Sequence, residues 1–434
     1  MLVERNFTDQ ISRFYREDGI GLNACRNVTF VVTDSCDLRC TYCYECEKGH
    51  SYMSKETAKQ CIDMLFDMYE KDDPNAFINK ETKSIILDFI GGEPLRAIDV
   101  IEYACDYFWH RALKEHHIWA DMFKISMISN GEHYFEEKVQ SFLKKYRSRL
   151  SFGITIDGDK EMHDACRIRP DGSGNWEKAH SAQMHYHTHF NERLGTKVTV
   201  SPDNLPFLDR TVRYFVEQGY DIVNANPIYE HEWTIEEGKI YYQKLKSIAD
   251  YILQLDKEIG CSLFEEWSCK PYNPNENSTW CGGSGMMLAF DVEGNAYPCL
   301  RYMKMSLGDD AEPVIIGNCN DGIYNTPETI ALKERMDKIT RRTQSTDECF
   351  YCPVGMGCGT CTAWCYQKYG TMDKRDTSIC WMHKARSLAN VYFWNKYYQK
   401  IGANDNKFKM FLPKEDALKL IDRAEYDMLI EISV

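Results

Sequence analysis

The segment Cys36-Asp37-Leu38-Arg39-Cys40-Thr41-Tyr42-Cys43 constrains the fold more than any other part of the chain. It places three thiols at positions i, i+4 and i+7, directly after an apolar, strand-like run over residues 28–33. A structural zinc site normally closes with four ligands, whereas clusters bound only by thiolates indicate iron–sulfur chemistry. Three thiolates would leave one iron free to bind a small molecule. The spacing therefore indicates a [4Fe-4S] cluster with an open iron, and for this motif alone zinc or a chance spacing among 19 cysteines is an equal alternative.

The bulk composition indicates a soluble protein that contains metal. The 434 residues are too many for one ordinary domain and suit two or three. Hydrophobic residues at 43% and charged residues at 27% are typical of globular proteins, and no apolar run reaches the roughly 18 residues of a membrane span. We find no secretion signal, so the 19 cysteines predict a cytoplasmic location and metal binding, not a disulfide framework.

The formal net charge of −14 argues against nucleic acid as a partner, because proteins that bind nucleic acid carry a basic footprint. We therefore expect neither nucleic acid nor a membrane among the partners. Net charge does not describe local patches, so a basic groove for an acidic peptide is compatible with it.

Apolar, strand-like runs alternate with helical periodicity through the first half of the chain, which predicts an α/β fold with a parallel sheet. Ser54 is predicted to cap a helix over residues 54–69. Further helices are expected over residues 235–255, 384–400 and 414–426. The six predicted strands cover residues 28–33, 84–90, 125–129, 152–156, 197–200 and 222–225.

Two more features carry chemical information. Gly91-Gly92-Glu93-Pro94 follows the second predicted strand. Glycine lets the backbone approach a ligand closely, and the active sites of barrel enzymes lie at the carboxyl ends of their strands. A second cysteine field extends from Cys281 to Cys380, with little regular periodicity. Such a region is typical of a domain that metal holds together.

Together these motifs resemble those of the radical S-adenosylmethionine (SAM) enzymes. The second cysteine field resembles the SPASM auxiliary-cluster domain of the branch that modifies peptides and proteins. Within that branch the chain is most similar to peptide maturases whose precursors carry Cys-x-x-x repeats, over residues 28–44, 89–95, 151–167 and 280–302. The resemblance implies a partial (β/α)6 barrel, the radical SAM core, followed by a C-terminal Cys-rich domain of the SPASM type.

The resemblance also implies a SAM site at the carboxyl ends of the strands. Cys36, Cys40 and Cys43 would bind the cluster, whose open iron takes SAM. Arg167 would meet the SAM carboxylate, a role that suits the planar fork of an arginine. The other implied SAM contacts are Tyr42 at the adenine, Thr155 at the ribose, Gly91, Gly92 and Glu93 at the ammonium group, and Asn130 in the polar ring.

Two auxiliary [4Fe-4S] clusters are implied by the same resemblance. One would use Cys349, Cys352, Cys358 and Cys380, and the other would use Cys281, Cys299 and Cys361. The spacing before Cys361 is one residue shorter than the family pattern, so Cys365 is a rival. The cluster on Cys281, Cys299 and Cys361 would be completed by Cys261, Cys269, Cys319 or Cys365, or left open for a substrate thiolate. A zinc-ribbon domain is the alternative, because paired Cys-x2-Cys spacings also suit zinc.

The expected domain organisation follows from these assignments. An N-terminal extension would cover residues 1–27, the barrel 28–240, a helical bridge 241–280, the auxiliary iron–sulfur domain 281–383 and a helical tail 384–434.

The predicted activity is that of a radical SAM oxidoreductase that modifies a ribosomally synthesised precursor peptide. A 5′-deoxyadenosyl radical would abstract hydrogen from the peptide, a Cys thioether crosslink would form, and a ferredoxin or flavodoxin would donate electrons. The enzymatic alternatives are a carbon–carbon (cyclophane) crosslink and formylglycine formation, as in sulfatase maturases. Leu300 argues against the last, because that branch has an Asp after the residue equivalent to Cys299. A metal-stabilised scaffold that only binds peptides is the non-enzymatic alternative, and no side chain is assigned as a catalytic acid or base.

Overall fold

The computed structural model of the protein describes residues 24–190, 195–275, 281–283 and 285–434. Most of the predicted N-terminal extension lies outside these ranges. The strands are β1 (Cys25–Thr33), β2 (Ser84–Gly91), β3 (Phe123–Ser129), β4 (Leu150–Ile154), β5 (Gly195–Val200), β6 (Ile222–Pro227), β7 (Gly260–Cys261), β8 (Met287–Phe290), β9 (Asn295–Tyr297), β10 (Gly317–Asn318) and β11 (Gly322–Ile323).

The helices of the first half alternate with the strands, and shorter helices follow in the Cys-rich region. They are α1 (Lys55–Lys71), α2 (Ile98–Lys114), α3 (Glu137–Tyr146), α4 (Lys160–Cys166), α5 (Trp176–Phe190), α6 (Leu208–Glu217), α7 (Ile235–Gln254), α8 (Lys304–Leu307), α9 (Pro327–Asp337), α10 (Arg341–Gln344), α11 (Asp347–Phe350), α12 (Thr362–Tyr369), α13 (Cys380–Lys400), α14 (Lys414–Leu420) and α15 (Arg423–Ser433). Among the described residues, no helix is both long and apolar enough to cross a bilayer.

Two sheets form the α/β core. The larger has the strand order β11-β10-β9-β8-β1-β2-β3-β4, and the smaller has the order β5-β6-β7. Strands β1 to β4 are parallel, and β8 adds to the other side of β1 in parallel. Within the described ranges no ladder joins β4 to β5. The predicted α/β fold with a partial, open barrel is confirmed, and β8 to β11 extend the barrel sheet from the C-terminal half.

Alternation of side chains along β1 explains how the sheet is buried. Val28, Phe30 and Val32 are fully buried in the main hydrophobic cluster. The ring of Phe30 stacks on that of Phe89 in β2, with centroids 5.4 Å apart. Helix α1 covers this face and begins where expected, because the side chain of Ser54 accepts a hydrogen bond from the N–H of Thr57.

Two element boundaries differ from the sequence-based expectation. Strand β4 begins and ends two residues earlier than predicted, because the chain turns away from the sheet after Ile154. The predicted C-terminal helix over residues 414–426 is two helices. Its first part ends before Ile421, whose backbone is extended, and Asp422 then caps α15 by accepting from the N–H of Glu425.

Helix α13 joins the C-terminal half to the barrel side of the molecule. It packs on α7, and Tyr392 donates a hydrogen bond of 2.5 Å to the carboxylate of Asp250. Arg386 and Asn390 also donate to the carbonyl of Leu263, at 3.1 and 3.0 Å. These contacts hold the middle of α13, whose first residue is Cys380, against α7 and the segment after β7.

We expect Gly91→Ala to destabilise the protein strongly. Gly91 has φ +156, and a Cβ there would lie 2.2 Å from the carbonyl oxygen of Thr33 in the adjacent strand. Because backbone must move to relieve this contact, the cost should be roughly 3 kcal/mol or more, in the upper range for single substitutions. The measurement is the urea unfolding midpoint of the anaerobically purified protein.

Gly172→Ala is the matched control for this experiment. Gly172 also has a positive φ, +82, but no atom lies within 4 Å of the Cβ that an alanine would add there. The free energy of unfolding of the Gly172→Ala variant should fall by only about 1–2 kcal/mol, the cost of a left-handed backbone conformation for alanine. Equal losses in the two variants would contradict the role of close strand approach.

Candidate functional site

The loop after β1 carries the N-terminal thiol group, which comprises Cys36, Cys40 and Cys43. Backbone hydrogen bonds hold this loop on the segment that follows α4. The N–H of Arg39 donates to the carbonyl of Ile168 at 2.7 Å, and the N–H of Thr41 donates to that of Cys166 at 2.9 Å. The loop is therefore placed at the carboxyl ends of the barrel strands by backbone contacts.

The three thiols of this group are half-buried and influence one another. Burial raises the pKa of Cys36 to about 11, and the neighbouring Cys40 contributes to the rise. Burial also raises the pKa of Cys40, with a further contribution from Cys43. Since a thiol must lose its proton to bind a metal, metal binding here would release protons.

Glu93 ties the loop to two strand ends. Its buried carboxylate accepts hydrogen bonds from the N–H of Leu95 at 3.0 Å, the hydroxyl of Ser129 at 2.8 Å and the N–H of Asn130 at 2.7 Å. Its own N–H donates to the carbonyl of Ser35 at 2.9 Å. Burial raises the pKa of Glu93 while the three donors lower it. The residue thus acts as a structural link directly beside the thiol loop.

Gly92 and Asn130 lie against the first thiol of the group. A Cβ at Gly92 would meet the carbonyl oxygen of Ser35 at 2.3 Å and the Cβ of Cys36 at 2.9 Å. The side-chain amide of Asn130 lies 3.9 Å from the sulfur of Cys36. The predicted Gly-Gly-Glu-Pro turn and Asn130 therefore border the thiol group.

Arg167 forms a buried polar cluster with Tyr42 and Asp157. The guanidinium donates to the Tyr42 hydroxyl at 3.1 Å, and that hydroxyl donates to the Asp157 carboxylate. The Nε of Arg167 and the Oδ1 of Asp157 are buried without a hydrogen-bond partner among the described residues. Thr155 lies half-buried nearby, with its N–H bonded to the carbonyl of Ser129 at 3.0 Å. One donor and one acceptor are thus left open for a polar ligand.

A chain of buried hydrogen bonds supports this cluster from behind. The side chain of Asn175 donates to the carbonyl of Asn130 at 2.8 Å and accepts from the Nε2 of His163 at 2.7 Å. The N–H of Asp157 donates to the Nδ1 of His163 at 3.3 Å. Burial lowers the pKa of His163, which keeps its ring neutral and suits one donating and one accepting nitrogen.

The first auxiliary group comprises Cys281, Cys299 and Cys361. After burial, the charges of Cys281 and Cys361 are the main causes that raise the pKa of Cys299. Gly283 lies at this group, since a Cβ there would meet the sulfurs of Cys299 and Cys281 at 3.1 and 3.4 Å. Burial raises the pKa of Cys361, and the positive charge of Arg301 opposes that rise.

The second auxiliary group comprises Cys349, Cys352, Cys358 and Cys380. Burial raises the pKa of Cys380 to about 12, and the other three thiols all add to the rise. The guanidinium of Arg375 donates to the sulfur of Cys358 at 3.4 Å. The structure thus brings the four thiols of this group close enough to act on one another.

Cys365 does not share the surroundings of Cys361. Its buried sulfur accepts a hydrogen bond from the N–H of Asp376 at 3.3 Å and contacts the hydroxyl of Thr360 at 3.6 Å. The pKa of Cys361, which burial raises, is instead affected by the charge of Arg301 and by that of Cys281 in the first auxiliary group. Of the two rivals, the structure groups Cys361 with that set.

The other candidates for a fourth ligand lie elsewhere. Cys319 is adjacent to Cys61 of α1, which lowers the pKa of Cys319. Burial raises the pKa of Cys269, and the charge of Cys358 in the second auxiliary group adds to the rise. Cys261 is half-buried, and the groups that act on its pKa include no auxiliary thiol. The first auxiliary group therefore has three thiols in the part of the chain that the structure describes.

The donor sets fit the cofactors that the sequence predicts. Three clustered thiols suit an iron–sulfur centre with an open position, and the unpaired atoms of Arg167 and Asp157 suit a zwitterionic ligand beside it. In the described ranges no three Cys, His, Asp or Glu side chains are arranged to hold a single metal ion. Sequence reasoning assigned no role to Asp157 or Asn175, although Asp157 could have been noticed as an acid directly after a strand.

The chain matches the family model described as a 4Fe-4S single cluster domain over residues 18–167, a range that contains the N-terminal thiol group. It is 26% identical to an uncharacterised protein of Methanocaldococcus jannaschii, over 69% of this chain and 91% of that protein. It is 21% identical to the radical SAM cyclopropyl synthase TigE of Paramaledivibacter caminithermalis, over 82% and 72%. It is 19% identical to the cysteine-type anaerobic sulfatase-maturating enzyme of Clostridium novyi, over 63% and 72%.

Solved structures share the fold at low sequence identity. Native anSMEcpe with bound AdoMet superposes with a TM-score of 0.60 at 16% identity, over 87% of this chain and all of that one. Streptococcus suis SuiB bound to its precursor peptide SuiA superposes with a TM-score of 0.53 at 13% identity, over 85% and 79%. Each likeness covers more of this chain than the barrel alone.

We expect Cys361→Ala and Cys365→Ala to differ in iron content. Because Cys361 lies in the first auxiliary group, its loss should remove one cluster, about four iron atoms per chain. Cys365 binds a backbone N–H instead, so Cys365→Ala should retain its iron. Iron and acid-labile sulfide are measured after anaerobic reconstitution. Loss of iron from the Cys365 variant alone would reverse the assignment.

Proposed function

We propose that this chain is a radical SAM enzyme with a SPASM-type C-terminal domain, and that it forms Cys thioether crosslinks in a ribosomally synthesised precursor peptide. The observation that carries the proposal is the three-thiol first auxiliary group. Three thiols leave one position of an auxiliary cluster for an outside ligand, and a peptide Cys is the donor of matching chemistry. The likeness to TigE, a radical SAM synthase, and to SuiB, which binds a precursor peptide, supports a peptide substrate.

The proposed cofactors are one cluster on the N-terminal thiol group, SAM, and one auxiliary cluster on each auxiliary group. Bound together, the cluster and SAM supply the one-electron chemistry that removes a hydrogen atom from the peptide. Arg167 and Asp157 would hold the carboxylate and an ammonium or hydroxyl group of SAM through their open atoms. Glu93 and the Asn175–His163 chain keep these groups in place. An external ferredoxin or flavodoxin is proposed as the electron donor.

The lumen of the open barrel offers the route for the peptide. Ile128 of β3 is 50% exposed, although its strand neighbours are buried, and it pairs with Gly153 of β4. A Cβ at Gly153 would meet only Ile128, at 3.9 Å. Half-buried Ile90 of β2 lies on the same face. We propose that this apolar, uncrowded surface below Thr155 receives the target residue.

Formylglycine formation is the runner-up, because the sulfatase-maturating enzyme is among the relatives. That reaction would need a proton acceptor near the first auxiliary group. The residue after Cys299 is Leu300, so the position that supplies an acid in that branch is apolar here. The chemistry of the first auxiliary group therefore favours thioether formation.

Anaerobic co-expression with a small precursor peptide encoded beside this gene is the direct test. Each thioether removes one pair of hydrogens and blocks one thiol. We expect mass spectrometry to find both changes on the same residues after iodoacetamide treatment. Loss of hydrogen with every Cys still alkylated would instead indicate a carbon–carbon crosslink, and conversion of Cys or Ser to an aldehyde would indicate the runner-up.

We expect Ile128→Asp to weaken binding of the precursor peptide at least tenfold, which is about 1.4 kcal/mol. The introduced carboxylate would have to lose water against an apolar substrate surface. Ile128→Val is the matched control and should keep its affinity. Fluorescence anisotropy of labelled peptide gives the affinity, and SAM binding is followed in parallel. Unchanged peptide affinity in the Asp variant would place the peptide elsewhere.

A further inference from the structure

Two guanidinium groups are buried next to the second auxiliary group without an acidic partner. Arg341 and Arg375 are 3% and 7% exposed. Arg341 donates to the carbonyl of Phe350 at 2.8 Å, and Arg375 donates to the carbonyls of Cys358 and Gly359. Neither forms an ion pair with an Asp or Glu among the described residues. The Nη1 of Arg341 is buried with no hydrogen-bond partner in that part of the chain.

Such charges are costly to bury unless an anion compensates them. The anionic groups within reach are the thiolates of the second auxiliary group. Arg375 donates directly to the sulfur of Cys358 at 3.4 Å. The pKa of Arg375 is raised despite its burial, because of Cys358 and Cys349. Burial lowers the pKa of Arg341, and the charges of Cys349 and Cys358 oppose this lowering. The two cations and the four thiols thus form one electrostatic unit.

The other two thiol groups have a different charge balance. At the N-terminal thiol group, Lys48 lies 3.3 Å from the sulfur of Cys43, but its ammonium also pairs with the buried carboxylate of Glu45. At the first auxiliary group, Arg301 pairs with Glu230 at 2.5 Å. Each of these cations is neutralised by its own acid, and the buried Arg167 beside Cys40 shares a hydrogen-bonded cluster with the carboxylate of Asp157 through Tyr42. Among the described residues, the second auxiliary group is therefore the one of the three whose buried cations have no acidic side chain in their hydrogen-bonded surroundings.

We propose that Arg341 and Arg375 give the cluster on the second auxiliary group the highest reduction potential of the three clusters of this enzyme. Reduction adds one negative charge at the site, and two unpaired buried cations stabilise that charge. Hydrogen bonds to ligand sulfur and nearby charge are among the factors that set the potentials of iron–sulfur centres. The inference depends on the cluster proposed at these four thiols and not on which peptide product forms.

The second auxiliary group lies close to the first auxiliary group and to the carboxyl edge of the barrel. Cys358 and Gly359 line a cavity of about 90 Å³ together with Asn226 at the end of β6 and with Arg386 and His383 of α13. Tyr229 follows β6. Burial raises the pKa of Tyr229, and the charges of Cys361 in the first auxiliary group and Cys358 in the second raise it further. The second auxiliary group thus borders the first and lies at the barrel's carboxyl edge.

The test is a potentiometric titration of the reconstituted holoenzyme, without SAM or peptide, followed by electron paramagnetic resonance. Dithionite supplies the electron, and the Cys352→Ala variant identifies the signal of the second auxiliary group by its loss. In Arg375→Gln we expect this signal to need a lower potential. At a fixed potential the ratio of reduced to oxidised site should fall about tenfold, which is about 59 mV for one electron.

Two matched variants separate charge from structure. Arg375→Lys keeps the positive charge and should recover most of the potential. Arg342→Gln changes the neighbouring exposed arginine, which pairs with Asp347 at 2.6 Å, and should leave the potential unchanged. Arg341→Gln provides a second measurement of the same effect if Arg375→Gln binds less iron.

Three results would overturn the inference. The first is an unchanged potential in both glutamine variants at full iron content. The second is a reduction potential of the native second auxiliary site that is lower than that of either of the other two sites. The third is zinc in place of iron at these thiols, which would make the site redox-inactive. None of these outcomes depends on peptide modification, so the proposed function is tested separately by the co-expression experiment.

Discussion

The buried carboxylate of Glu93 is the interaction on which the barrel end of the site depends. Three donors from two strand ends meet on it, and its own backbone binds the start of the thiol loop. A carboxylate is required because it can accept several hydrogen bonds at once while donating none. Charged hydrogen bonds of this kind contribute more than neutral ones, about 1.5–3 kcal/mol each. Glu93 therefore links the N-terminal thiol group to the strand ends, with its backbone on the loop and its side chain on the strand ends, and the backbone contacts of Arg39 and Thr41 hold the rest of the loop.

Charge compensation distinguishes the three thiol groups from one another. A lysine–glutamate pair lies beside the N-terminal group, an arginine–glutamate pair beside the first auxiliary group, and two unpaired arginines beside the second. Thiolates close to paired charges experience little net potential, whereas thiolates close to unpaired buried cations experience a strong one. The same protein can in this way give similar clusters different redox properties without changing their ligands.

Sequence reasoning recovered the elements whose signals are local. Five of the six predicted strands lie inside observed ones because their apolar runs are buried in the sheets, and the Ser54 cap is fixed by a contact three residues away. The fourth strand was displaced because Ile156 is buried outside the sheet, and apolar burial alone does not distinguish a strand from the turn after it. The carboxyl-edge placement of Gly92 and Glu93 followed from the same parallel topology, whereas Arg167 was expected there only from the resemblance.

The features that sequence could not supply depend on contacts between distant segments. Cys361 and Cys365 are one helical turn apart in sequence, yet tertiary contacts separate their environments: the Asp376 backbone lies at Cys365, and Arg301 acts on Cys361. Arg375 reaches Cys358 across 17 residues of chain. In a region of short helices and strands, hydrophobic periodicity carries little information, so the positions of side chains depend on the ligands they surround. The cysteine spacing identifies the thiols, but the buried cations that determine what those thiols can do become visible only in the folded chain.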